Sequence, residues 1–324
     1  MIISRLPDLT FVSRGHAETL RLSLEAARIA QLAGNLSQSL APETAIGLVF
    51  RSSPELVLWW FASLCAGLRP LVIQYPTMKQ AQTYWQSSVR HTIEAAGLGG
   101  IICDGDVHRH LGGIDVPIIE QPLPPHRDGD ADFELDDFRI IQLSSGTTGH
   151  RKAVEFTSEA LAHHAAEYQA AMKLSGESDM IVSWLPLYHD MGYVACFVMP
   201  LMLGVPITMI DPEIWVRDKA LLFEAIEAHR GTICYMPNFG FEVMARERVR
   251  DLSSIRLWIS CSEPVKAATT RRFLEVTGTP ESKFAACYAM AENVFAVTPS
   301  SGLKTRKIDD QMSCRAGLRF PASS

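Results

Sequence analysis

The stretch QLSSGTTGHRKAVEF, Gln142 to Phe156, sets hydroxyls and glycines between apolar residues and follows them with a lone lysine, Lys152. Glycine lets a backbone fold so that successive N–H groups converge on an anion; serine and threonine add donors, and lysine adds charge. The chemistry these types serve together is phosphate binding. The spacing is not that of a Walker-type loop: counted from Gly146, the second glycine would fall on Arg151. KAVEF also alternates like a strand instead of opening a helix. The pattern therefore predicts a loop between two strands, far richer in hydroxyls than a plain hairpin turn requires.

Other residues that could do chemistry lie downstream. His189 sits in SWLPLYHDMGYV (183–194), Glu263 in SCSEPV (260–265), and Tyr288 and Glu292 in YAMAE (288–292). Each has a plainer reading when taken alone. A histidine in a Tyr-His-Asp turn is more often a hydrogen-bonded loop residue than a catalyst. Glu292 would suit the N-terminus of a helix through the helix dipole. Trp59-Trp60 and the methionines of 199–209 read as core, and Asp136-Asp137 as a solvated turn.

The elements that would position these residues follow from periodicity. Leu22, Ala26, Ile29, Ala33, Leu36 and Leu40 recur at helical spacing and predict an amphipathic helix over 18–40. AIGLVF (45–50) reads as a buried strand. Ser53-Pro54-Glu55 opens a helix, 54–66, that is apolar nearly all round and hence buried. PLVIQ (70–74) is a further strand, and Thr77 with Gln80 resembles a capping box for a helix over 78–96. Short strands are expected near 100–102 and 117–119, then a Pro- and Asp-rich surface connection over 121–137. Beyond it strands and helices alternate: RIIQL, KAVEF, helix 158–173, MIVSWL, helix 192–203, VPITMI, helix 218–229, TICYM, helix 238–249, IRLWIS, helix 264–276 and KFAACY. Such alternation predicts an α/β fold with largely parallel, twice-covered sheets. Residues 299–324 show no clear period and are expected to be an irregular tail after a core spanning 1–298.

Composition excludes several classes. Charged residues make up 20% of the 324 positions and the net charge is −6 without a basic block, so bulk attraction to nucleic acid is not expected. The 7 cysteines are odd in number and never spaced C-x-x-C, which reads as reduced, buried thiols of a cytoplasmic protein. The apolar run 56–68 is too short to span a bilayer, and 194–210 is broken by Pro200, Gly204 and Pro206.

Taken in order, LSSGTTGHRK, SWLPLYHDMGYV, PNFGFEV (237–243), SCSEPV and YAMAE resemble the motifs of the ANL superfamily of adenylating enzymes, and are most similar to those of fatty acyl-AMP ligases. The likeness is strong over about 139–297 and weaker, though consistent in layout, over 10–120. It implies the N-terminal core of the ANL fold, with two layered αβ subdomains. It also implies ATP-dependent activation of a fatty or other carboxylic acid to an acyl-adenylate. Ser144, Ser145, Gly146, Thr147, Thr148 and Gly149 would hold the β- and γ-phosphates, with Lys152 at their edge. His189 would lie near the acyl carboxylate, and Glu292 would bind Mg²⁺. Ser262, Glu263, Pro264, Tyr288 and Ala289 would flank the adenosine, and PNFGFEV the acyl chain. The acceptor in such enzymes is coenzyme A or the phosphopantetheine of an acyl carrier protein. Departures from the pattern are Arg151 in place of proline and Ala153, Ala289 and Cys261 in place of glycine. Each adds atoms where backbone otherwise approaches a ligand. No Thr-Gly-Asp segment occurs, and no counterpart of the family's β-barrel subdomain or its lid with a catalytic lysine. The resemblance thus leads one to expect impaired adenylation by this chain alone, with a non-catalytic binding remnant or a split enzyme served by a separate lid chain as the alternative.

Overall fold

The computed structural model describes residues 1, 5–77, 80–120, 122–126, 134–144, 152–290, 293–299, 305–308 and 311–314. The chain divides into two compact units. The first comprises Met1–Asp8, Leu20–Leu161 and Pro186–His189; the second comprises Leu9–Thr19, Ala162–Leu185 and Asp190–Ser324.

The first unit is built on a six-stranded sheet in the order Ile118–Ile119, Leu98–Cys103, Ala45–Val49, Arg69–Val72, Arg139–Leu143, Ala153–Thr157. All neighbours are parallel except the last pair. The central strand AIGLV is buried along its whole length, as a strand covered on both faces must be. The helix Leu22–Ser39 turns Leu22, Ala26, Ile29, Leu32, Ala33 and Leu36 inward. The helix Pro54–Cys65 is buried nearly all round and is capped by Ser53, whose hydroxyl accepts the Leu56 N–H at 3.4 Å.

The second unit carries an eight-stranded sheet: Ala296–Pro299, Phe284–Ala289, Leu257–Ser260, Ile233–Met236, Ile181–Ser183, Ile207–Ile210, Leu9–Ser13, His16–Leu20. The six strands from Phe284–Ala289 to Leu9–Ser13 are mutually parallel, and Ala296–Pro299 runs antiparallel beside them. Against this sheet Phe241, Trp258 and Phe273 meet edge to face with ring centroids 5.0 to 6.4 Å apart. The buried hydroxyls of Tyr168 and Tyr235 satisfy one another at 2.8 Å.

The α/β architecture with two largely parallel sheets is as expected, but several elements differ. Residues 18–20 belong to the strand His16–Leu20 and the helix begins only at Leu22; the Thr19 hydroxyl meets that of Thr10 across the strand pair at 3.2 Å. The Thr77 carbonyl accepts the Gln80 N–H in a turn, and the helix runs Gln82–Ala96 from Ala81 without a side-chain cap. The expected helix 192–203 is a π-helix, Met191–Val198, continued by Met199–Leu203. Pro200 has no N–H to donate, and Met199 donates five residues back to Val194. A separate helix, Pro212–Arg217, precedes Leu221–His229. The helix 238–249 stops at Met244, where Arg246 and Glu247 donate three residues back. The helix 264–276 begins only at Ala267, because Lys266 before it is extended at φ −84° and ψ 120°. Within the stretch expected to be irregular, Thr305–Ile308 and Gln311–Cys314 pair as an antiparallel ribbon.

Candidate active site

In the first unit the hydroxyl-rich stretch joins two antiparallel strands, with Leu143 opposite Ala153. Its neck is closed by the Ser144 N–H donating to the Lys152 carbonyl at 2.8 Å, and by the Lys152 N–H reaching the Ser144 hydroxyl at 3.4 Å. Ser144 is buried and Lys152 exposed. Ser145, Gly146, Thr147, Thr148 and Gly149 lie outside the described residues, as does Glu292. The same strand carries Gln142, buried, whose amide donates to the Leu143 carbonyl at 3.2 Å and to the Tyr188 carbonyl at 3.3 Å. One side chain thereby ties the hairpin to the segment bearing His189. His189 is exposed; its backbone N–H closes a turn onto the Pro186 carbonyl at 3.2 Å, and its ring lies 4.8 Å from that of Tyr188.

In the second unit the motifs converge for a topological reason. Ile181–Ser183, Ile233–Met236, Leu257–Ser260 and Phe284–Ala289 are parallel neighbours, so the segments that follow them all emerge at one carboxyl edge, where open α/β sheets bind ligands. PNFGFEV follows one of these strands, SCSEPV begins on the last residue of a second, and YAM spans the end of a third. Ser262, Glu263 and Pro264 are exposed in the turn after Leu257–Ser260, and Ser262 adopts φ +68°. Tyr288 is 57% exposed, beside the register shift that separates it from Ala289. Glu263 is already engaged: its carboxylate accepts the Phe239 N–H at 3.0 Å.

At the same edge Trp184 and Trp215 stack with centroids 3.6 Å apart, and Phe239 stands edge-on to Trp184 at 5.8 Å. Both indoles are buried, whereas Phe239 is 45% exposed. Gly240 permits the packing, since a Cβ there would meet Met236 Cβ at 3.2 Å and Trp184 Cζ2 at 3.3 Å. The surface offered here is apolar and aromatic. Nothing in the sequence marked Trp215 or Gln142 for a role. The available signal was a glutamine inside RIIQL, polar at a strand position that is otherwise apolar.

Cys65, Cys103, Cys196, Cys234, Cys261 and Cys287 are free. Burial pushes Cys196 up to about 12, so it stays protonated and unreactive. Among the described residues, no group of three or more His, Cys, Asp or Glu side chains is placed to hold a metal, and no helix is long and apolar enough to cross a membrane.

Comparison with known proteins accords with this layout. Residues 4–321 match the AMP-binding enzyme family. A putative ligase of Mycobacterium tuberculosis is 30% identical over 224 residues, covering 65% of this chain and 41% of that protein. The long-chain-fatty-acid–AMP ligase FadD32 of Mycolicibacterium smegmatis is 31% identical over 182 residues, covering 52% and 29%. Among solved structures, the fatty acyl-adenylate ligase of L. pneumophila in complex with acyl adenylate and pyrophosphate shares the fold at a TM-score of 0.78 and 22% identity, over 93% of this chain and 56% of that one. The chain thus spans roughly half or less of the proteins it matches. By the extent of the family match, this chain belongs to the AMP-binding enzyme family.

Proposed function

We propose that the chain serves ATP-dependent activation of a fatty acid to its acyl-adenylate. The observation that supports this most is the clustering of PNFGFEV, SCSEPV and YAM at one carboxyl edge, beside exposed Phe239 and Tyr288, in a member of the AMP-binding enzyme family. In the reaction a carboxylate oxygen attacks the α-phosphorus of ATP; the new bond is acyl O–P, the bond to the bridging oxygen of the β-phosphate breaks, and pyrophosphate leaves. Two anions must approach, so positive charge and fixed donors are required. Ser144, the backbone of 145–149 and Lys152 would hold the β- and γ-phosphates. His189 would sit by the carboxylate. Ser262, Pro264, Tyr288 and Ala289 would flank the adenosine, and the Trp184–Phe239 surface would take the start of the acyl chain. Glu292 would be a protein ligand of Mg²⁺, which when bound would neutralise phosphate charge.

The acceptor is proposed to be an acyl carrier protein thiol, in line with similarity to a medium-chain-fatty-acid–[acyl-carrier-protein] ligase, TtuA, of Teredinibacter turnerae, 33% identical over 169 residues, covering 50% of this chain and 25% of that protein. The test combines calorimetric binding of a non-hydrolysable decanoyl-adenylate analogue with fatty-acid-dependent exchange of labelled pyrophosphate into ATP. Binding is expected, with only weak exchange by this chain alone, as the resemblance implies, and that exchange is reduced further by His189→Ala. No binding overturns the reading; binding without exchange leaves a non-catalytic binding module instead.

A further inference from the structure

The turn Cys261–Lys266 contains a non-glycine residue in the left-handed region, Ser262 at φ +68°. Such a conformation is strained for a residue with a side chain and persists only where the surroundings over-determine it. The determinants lie on one neighbouring segment. Cys261 N–H donates to the Met236 carbonyl at 3.4 Å, Lys266 N–H donates to Asn238 Oδ1 at 2.9 Å, and Glu263 Oε2 accepts the Phe239 N–H at 3.0 Å. The last two bonds are reciprocal. Glu263 satisfies an orphan amide in the first turn of the helix Asn238–Met244. Asn238 satisfies the amide of Lys266, the residue from which the helix Ala267–Thr277 starts. Asn238 is 6% exposed, so its side chain has little recourse to water if that bond is lost.

We infer that Asn238 is a positioning residue: with Glu263 it clamps the Cys261–Lys266 turn to the Asn238–Met244 helix and fixes the turn's backbone in the conformation that receives the nucleotide. The inference rests on the functional reading above, in which SCSEPV lies on the adenine side. Asn238 touches no substrate in this scheme; it acts through the Lys266 amide. Because the clamp joins the segment assigned to the nucleotide with the one assigned to the acyl chain, its loss is felt by AMP more than by global stability.

The experiment compares the full chain with Asn238→Ala, which lacks the acceptor, and Asn238→Asp, which keeps one. Titration with AMP is expected to show roughly ten- to thirtyfold weaker binding for Asn238→Ala and a change within about threefold for Asn238→Asp. Hydrogen exchange is expected to accelerate at the Lys266 amide in the alanine variant only, with strand Ile233–Met236 unchanged. A general packing role would weaken both variants and deprotect the strand as well. AMP binding that survives Asn238→Ala overturns the clamp alone, as does a failure of Asn238→Asp to restore it. A wild-type chain that does not bind AMP overturns the functional reading and takes the clamp's purpose with it.

Discussion

Asp179 shows how a single residue can hold distant chain segments together and respond to pH. Its carboxylate accepts from Arg256 Nε at 2.6 Å and Nη2 at 2.8 Å, from the Ser175 N–H at 2.9 Å and from the Thr232 hydroxyl at 2.8 Å. Burial alone would raise its pKa, but these partners outweigh burial and hold it below the usual carboxylate range. Asp179→Ala is expected to cost about 2–3 kcal/mol by urea unfolding, less than a fully buried pair because the Arg256 side chain is 35% exposed. His164 adds a pH dependence of its own. Burial, helped by the neighbouring His163, lowers it to about 4 from an ordinary 6.5. The unfolded chain takes up the proton first, so this contribution is complete above pH 6.5 and is lost as pH falls towards 4, with a slope of at most about 1.4 kcal/mol per pH unit. Urea midpoints at pH 7.5, 5.5 and 4.5 should fall more steeply for wild type than for His164→Gln over that window. At this scale the sequence marks residues by motif, as with His189 and Tyr288, and leaves unmarked those defined by partners. Asp179 and Arg256 stand 77 positions apart, and nothing local distinguishes either from a surface charge.

Elements were legible where one physical cause dominated. The strands AIGLV and RIIQL and the buried helix after Ser53 follow from hydrophobic pattern and capping. The late start at Ala267 goes with the Lys266 amide being taken by a distant group, Asn238 Oδ1, and that information is not local. Glycines make the same point testably. Gly204 ends the helix Met199–Leu203 at φ +68°, and its carbonyl oxygen would lie 2.4 Å from a Cβ placed on Gly176. The obstruction is backbone, so Gly176→Ala is expected to destabilise by about 1–3 kcal/mol. Gly34, by contrast, lies within the helix Leu22–Ser39 and has nothing within 4 Å of its Cβ position. Gly34→Ala should therefore stabilise by about 0.5–1 kcal/mol. Guanidinium midpoints of the two variants should move in opposite directions; a matching sign would contradict the contacts described.

Taken whole, the chain builds its second unit from pieces that are not contiguous: Leu9–Ser13 pairs in parallel with Ile207–Ile210, Leu9 opposite Ile207 and Val12 opposite Ile210. The alternation of strands and helices disclosed the architecture, but this pairing could not be foreseen, because LTFVS is a short apolar run with no local mark of its partner. Removal of residues 1–19 should leave the Ile207–Ile210 edge unpaired, and a row of free backbone groups on an apolar strand invites association. Light scattering of that deletion should report aggregation where the full chain stays dispersed. The same pairing has a temporal side. During synthesis Leu9–Ser13 emerges about 200 residues before its partner, which at about 5–20 residues per second is a delay of roughly 10–40 s. In that interval the ribosome completes every strand of the first unit's sheet, through Thr157. The apolar strand must wait through this period with only His16–Leu20 beside it and its other edge open, which gives a chaperone reason to hold this segment as it emerges.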